Sequence, residues 1–126
     1  MRKTKGNIVT VASISGIQGQ PYNAAYCASK GALLLFMKSI AVELAFEGIR
    51  VNCVCPGGVD TPLSSAAPTS LPADANFDLF ARMSGVLESG GFMPPGHISE
   101  AIAYLASDAA ASVTGAALVV DRGTLW

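Results

Sequence analysis

In the stretch SGIQGQPYNAAYCASKGALLLF, Ser15 to Phe36, a phenol and an ammonium stand four residues apart as Tyr26 and Lys30. On an α-helix that spacing puts both side chains on one face, one turn apart. A phenol alone exchanges protons poorly near neutrality. An ammonium one turn away favours the phenolate, through an attraction of roughly 3 kcal/mol at about 5 Å. A hydroxyl so placed can pass a proton to or from a reacting oxygen. Other groups with chemical potential are few. Cys53 and Cys55 alternate onto one face of a predicted strand. With no CxxC pair and no second ligand cluster they read as two small core residues, and no metal is expected. His97 is the single histidine and sits at a predicted helix start, where it reads as a solvated entry residue rather than a base.

Elements must hold these groups in place. Asn7–Ala12, NIVTVA, is short and rich in β-branched residues, which predicts a buried strand. Gly16, Gly19 and Pro21 make Ser13–Asn23 a loop. From Ala24 to Glu47, Leu33, Phe36, Met37, Ile40 and Leu44 recur at helical steps, and Leu34, Leu35, Ala41 and Ala45 fill a second face. That predicts a long helix covered on most of its sides, stopped by Gly48. Ile49–Cys55 reads as the next strand, ended by Pro56-Gly57-Gly58. Thr61–Ala75 shows little pattern, Phe77–Met83 predicts a short helix, and Ser84–Gly96 reads as loop. HISEAIAYLASD places Ile98, Ala101, Ile102 and Leu105 on one helix face, and Ala116–Val120 is a final strand. The order strand, helix, strand, long loop, helix, strand predicts an α/β fold with a parallel sheet and right-handed crossovers.

Composition narrows the partners. The 126 residues are 51% hydrophobic and only 13% charged, which excludes a disordered chain. Net charge is −1 and the only basic cluster is Arg2, Lys3 and Lys5, so no nucleic-acid partner is expected. No uninterrupted apolar run approaches the ~20 residues that span a bilayer, and no membrane partner is expected. The opening MRKTKGNIVTVAS is broken by Gly6, Asn7 and Thr10 and reads as a strand rather than a signal peptide. An odd cysteine count argues against a disulfide framework and fits a cytoplasmic location.

Motifs then join up along the chain. Ser13 lies thirteen residues before Tyr26, in VTVASISG. With Tyr26 and Lys30 it resembles the serine and Y-x-x-x-K of the short-chain dehydrogenase/reductase family. GIRVNCVCPGGVDTPL resembles the family's R-V-N-x-x-x-P-G-x-x-x-T, matched by Arg50, Val51, Asn52, Pro56, Gly57 and Thr61. AYLASDAAASVTGAALVVDRG resembles its closing L-x-S-D-x-x-x-x-x-T-G-x-x-x-x-V-D-G-G. Together these matches run from Gly6 to Gly123 in the family's order.

The resemblance implies that residues 1–126 are the C-terminal portion of a single Rossmann-type, doubly wound domain. It implies an NAD- or NADP-dependent oxidoreductase that interconverts a small secondary alcohol and a ketone. Tyr26 would be the general acid/base. Lys30 would assist it and hold the nicotinamide ribose, and Ser13 would orient the substrate oxygen. Pro56 and Gly57 would let backbone approach the nicotinamide, Val59 and Thr61 would contact the carboxamide and the phosphate side of the cofactor, and Pro62–Ala75 would form a substrate lid. Leu63, Leu71, Phe77, Leu79 and Phe80 hint at an apolar pocket. Subunits would pair through the helix that carries Tyr26, as a dimer or tetramer.

Two departures stand out. The family's T-G-x-x-x-G-x-G turn and N-N-A-G segment are not found, so the N-terminal nucleotide-binding half is expected to be absent. Arg122 stands where the family usually has glycine, which puts the local turn in doubt. An alternative stays open on the same residues: a truncated, non-catalytic remnant that only self-associates or binds a partner chain.

Overall fold

The computed structural model describes residues 5–66, 71–83, 87 and 91–125. Its strands are β1 (Asn7–Val11), β2 (Arg50–Pro56) and β3 (Ala117–Val120). The helices are α1 (Ala24–Ala45), α2 (Pro62–Ala66) and α3 (Pro95–Ala106). Short 3₁₀ segments cover Ile14–Gly16, Phe77–Met83 and Asp108–Ala110. The strands form one parallel sheet in the order β1-β2-β3, with Val9 beside Asn52 and Cys53 beside Ala117.

β2 is the spine of the fold. Val51, Cys53 and Cys55 face α1 and pack with Ala12, Leu34, Met37, Ala41 and Ile49. Val54 faces the other way, into a second core with Met93, Ile98, Leu105 and Ala110. A parallel strand covered on both faces must be apolar throughout, which is why IRVNCVC shows no alternation. This is a three-stranded piece of a doubly wound α/β sheet, with one long helix on each face.

The ends of the helices are fixed by specific contacts. Gly48 has φ +72°. Its N–H bonds Ala45 O at 3.0 Å while Ile49 N–H bonds Leu44 O at 3.1 Å. That paired closure ends α1 and needs the left-handed residue that glycine supplies at little cost. At the far end of α3, Arg50 donates to Leu105 O at 2.7 Å and to Ser107 O at 3.1 Å. Asn7 Nδ2 donates to Ala106 O at 2.9 Å. A cation and an amide from the start of two strands thus satisfy the last carbonyls of α3.

Three expectations need correction. α1 is not covered on most sides: Leu35, Phe36, Val42 and Phe46 are exposed, and Phe46 is 94% accessible. Only the Leu34–Met37–Ala41 stripe is buried, because the sheet presents one face to it. The same helix, 22 residues long, is apolar enough to cross a membrane by length and composition, despite its internal Lys30 and Lys38. Its buried stripe on β2 is that of a crossover helix, which passes the same test for a different reason. At Arg122 the arginine itself adopts the left-handed backbone that glycine takes most readily, with φ +55°, and Gly123 follows at +77°. Arg122 Nη1 donates to Gly91 O at 3.1 Å, and its carbonyl accepts from Leu87 N at 3.1 Å.

Cys53 and Cys55 are buried core thiols, as expected, at 1% and 0% exposure. Burial, with Cys55 as neighbour, pushes the Cys53 thiol up. Burial also raises Cys55, partly offset by a backbone hydrogen bond from Ser13. Both thiols therefore hold their protons more tightly folded than unfolded. The folded state should keep this contribution below the ordinary thiol value of 9.0 and lose it as pH rises beyond. The expected result is a urea midpoint that falls above about pH 9, with a smaller fall in Cys53→Ala. An equal fall in parent and variant would remove the thiols as the cause.

Candidate active site

β1 ends at Val11, and the chain turns through Ser13 into the 3₁₀ segment Ile14–Gly16. Ser13 has extended backbone and caps that segment, its Oγ accepting from Ser15 N at 3.1 Å. The Ser13 hydroxyl also lies 3.1 Å from Ser15 Oγ, and both serines are buried. The loop can run this close to α1 because position 16 has no side chain. A Cβ there would sit 2.7 Å from Lys30 O. Gly16→Ala should push the loop off α1 and cost about 1–3 kcal/mol. It should also shift the Ser13 and Lys30 side-chain resonances together. A variant with parent stability and unchanged resonances would show that the loop and α1 cross with room for a methyl group.

Tyr26 and Lys30 both lie in the first two turns of α1. Lys30 Nζ sits 5.7 Å from the Tyr26 ring centroid and donates to Val11 O at 3.3 Å. The ammonium is thus anchored at the C-terminal end of β1, with further donors still directed outward. Tyr26 remains 39% exposed, open to anything that enters.

Beyond β2 the chain is pinned by a short bridge. Met93 N donates to Gly58 O, and Asp60 N donates to Met93 O, both at 2.9 Å. Val59 and Met93 form an isolated parallel pair. Thr61 then precedes α2, with Pro62 in the first turn. Thr61 N donates to Ser64 Oγ at 3.0 Å, and Ser64 N to Thr61 Oγ1 at 3.4 Å. Thr61, expected to contact the cofactor, therefore has its N–H and its hydroxyl engaged in capping a helix. α2 lies within the stretch that showed little sequence pattern; residues 67–70 of the expected lid are outside the described residues.

These elements enclose a cleft of about 1040 Å³ at the C-terminal ends of β1 and β2. Ser13, Tyr26, Lys30, Pro56, Gly57, Val59 and Thr61 all line it. Ile14, Leu63, Phe80, Phe92 and Ile98 supply apolar walls. Leu63 and Phe80 thus border the cleft, whereas Phe77 and Leu79 do not line it. The residue that sequence reasoning passed over is Tyr22, whose ring stacks on Phe80 at 6.0 Å. A tyrosine between Pro21 and a helix start was the available signal. His97 is exposed and lies on a separate hollow of about 390 Å³ with Asp121 and Arg122. Among the described residues no group of three or more His, Cys, Asp or Glu could hold a metal ion.

An open cleft at the carboxyl ends of parallel strands, with helices on both faces of the sheet, is the ligand position of a Rossmann-type α/β fold. Comparison with known proteins takes the assignment further. The family model described as enoyl-(acyl carrier protein) reductase matches residues 1–124, and the chain belongs to the short-chain dehydrogenase/reductase family. It is 40% identical over 123 residues to 2-(S)-hydroxypropyl-CoM dehydrogenase 3 of Xanthobacter autotrophicus, covering 98% of this chain and 48% of the relative. It is 45% identical over 127 residues to cyclopentanol dehydrogenase of Comamonas testosteroni, covering 98% and 47%. A short chain dehydrogenase from Mycobacterium paratuberculosis bound to NAD superposes with TM-score 0.86 at 31% identity, covering 98% of this chain and 47% of that one. The chain thus spans about half the length of the relatives it matches.

Proposed function

We propose that this chain is the catalytic segment of an NAD-dependent dehydrogenase that interconverts a small secondary alcohol and its ketone. The observation that carries the reading is the meeting of Ser13, Tyr26 and Lys30 on one cleft, from a strand end and a helix start. A nicotinamide, when bound, supplies the hydride chemistry. The donor set fits such a group: an ammonium with donors to spare, a phenolic hydroxyl, and the backbone of Pro56–Val59. Lys30 would hold the ribose hydroxyls. Pro56, Gly57 and Val59 would border the nicotinamide end, and Thr61, whose backbone and hydroxyl both serve the turn into α2, would shape that end of the cleft.

The chain's own residues then manage the substrate. Ser13 donates a hydrogen bond to the substrate oxygen and keeps its proton, exchanging the contact with Ser15 for one with the ligand. Tyr26 takes the alcohol proton during oxidation and returns it during reduction, a role suited to a hydroxyl beside a fixed cation. Ile14, Leu63 and Phe92 would offer apolar surface to the carbon skeleton of the substrate. Relatives named for NAD support NAD as the cofactor, and a cytoplasmic location follows from the same reading. The exposed α1 face with Leu35, Phe36, Val42 and Phe46 is the contact between copies, as a dimer or tetramer.

The test is direct. The full chain is given NAD and cyclopentanol, and the reduced nicotinamide is followed by its absorbance. Turnover with saturation in both reactants is the expected result. Saturable NAD binding with no oxidation of cyclopentanol or of open-chain secondary alcohols would sink the enzymatic reading. In that case self-association through α1, measured by sedimentation, would stand as the remaining function.

A further inference from the structure

Tyr22 is held in an uncommon backbone state. Its φ is +60°, in the left-handed region that bulky residues avoid. Such a residue persists only where its surroundings fix it, and these do. Its hydroxyl accepts a hydrogen bond from Asn76 N at 2.8 Å, across 54 residues of sequence. Its ring stacks on Phe80 with an interplanar angle of 23°. Phe80 in turn leans on Phe77, at 6.2 Å between centroids. Asn76 is itself braced, because its Oδ1 accepts from Asp78 N at 3.0 Å. Phe80 also lines the cleft.

Four residues separate Tyr22 from Tyr26. The outer wall of the cleft is therefore tied to the start of the helix that carries the phenol and the ammonium. We infer that Tyr22 is a positioning residue: its hydroxyl and ring hold the Asn76–Phe80 segment so that Phe80 stands as an aromatic wall of the cleft, and that wall selects an apolar, uncharged substrate body. The selection follows from the lining, where Lys30 is the charged side chain among the described residues and its ammonium is the group proposed to hold the cofactor ribose, which leaves Phe80, Leu63 and Phe92 to meet the substrate body. A substrate pressed against Phe80, Leu63 and Phe92 gains by burying carbon. This inference deepens the dehydrogenase reading and rests on it for the identity of the substrate, but the latch itself does not.

The experiment compares the full chain with Tyr22→Phe and Tyr22→Ala by amide hydrogen exchange and by cyclopentanol binding observed through ligand NMR. Tyr22→Phe keeps the ring and loses the hydrogen bond. The Asn76 amide should exchange about fivefold to tenfold faster, with the amides of α1 and β2 unchanged. Cyclopentanol should bind several-fold more weakly in Tyr22→Phe and more weakly still in Tyr22→Ala. Where turnover is present, the loss should appear in KM with kcat kept, unlike a loss at Tyr26. Unchanged Asn76 exchange in Tyr22→Phe, or acceleration spread evenly over α1 and β2, would overturn the inference. So would equal cyclopentanol binding by all three proteins. An Asn76 effect with weakened binding but no turnover would sink the dehydrogenase reading and leave the latch standing. Turnover with no Asn76 effect would do the reverse.

Discussion

Asn52→Ala is expected to lower the unfolding free energy by about 2–5 kcal/mol, a large part of what a domain of this size possesses. Asn52 is 1% exposed, in the middle of β2. Its Nδ2 donates to Val113 O at 2.8 Å, and its Oδ1 accepts from Ala116 N at 3.0 Å. The side chain thus continues the pairing of β2 with its neighbour through a stretch where β3 has not yet begun. Thr114 and Gly115 join in, since Val51 N donates to Thr114 Oγ1 and Gly115 N to Val51 O. Alanine would leave a carbonyl and an N–H without partners and close to the core, and each unmet group costs about 1–3 kcal/mol. Urea denaturation followed by circular dichroism measures the effect. Asn52→Asp supplies the contrast: the contact with Ala116 N survives, while the donor to Val113 O is lost and a charge is buried. It should be no more stable than the alanine variant. A loss below about 0.5 kcal/mol for Asn52→Ala would mean that solvent reaches the turn and replaces the amide.

What was legible in the sequence follows from what each signal encodes. β2 could be read because a strand covered on both faces must be apolar at every position, and only a few residues satisfy that. The stop at Gly48 could be read because a left-handed helix end favours one residue type. α1 could be read as a helix but not as a half-covered one. Periodicity reports which residues avoid water; it does not say what shields them, and Leu35, Phe36 and Phe46 find no cover within the described residues. α2 was missed because five residues are too few for a period, although Thr61, Pro62 and Ser64 carry its capping chemistry. Thr61 likewise reads as a ligand contact in a motif, and only coordinates show its hydroxyl turned to Ser64. Arg122 illustrates the opposite case. The resemblance places glycine there, yet the arginine accepts the strained backbone and adds a bond to Gly91 O that glycine could not make. Tyr22 depends on a partner 54 residues away, and no local pattern announces a contact of that range.

Tyr26→Phe is expected to lower kcat for alcohol oxidation by roughly 10²–10⁴-fold while leaving NAD affinity nearly unchanged. The variant removes one oxygen. The ring remains, and so does its contact with Lys30 at 5.7 Å. Lys30 keeps its anchor on Val11 O, so the donors proposed for the ribose stay in place. What disappears is the group proposed to exchange a proton with the substrate oxygen, and a loss confined to the reacting step lowers kcat and kcat/KM together. Ser15→Ala offers a graded comparison. Ser15 touches Ser13 through its N–H and its hydroxyl, and alanine keeps the N–H contact at 3.1 Å. Its effect should be small, about tenfold or less, because only one of the two contacts that orient Ser13 is lost. Steady-state kinetics with cyclopentanol, read beside equilibrium NAD titration, separates the two variants. If Tyr26→Phe kept more than a tenth of the parent kcat, the proton would have to travel by another route, and the cleft would lose its central residue.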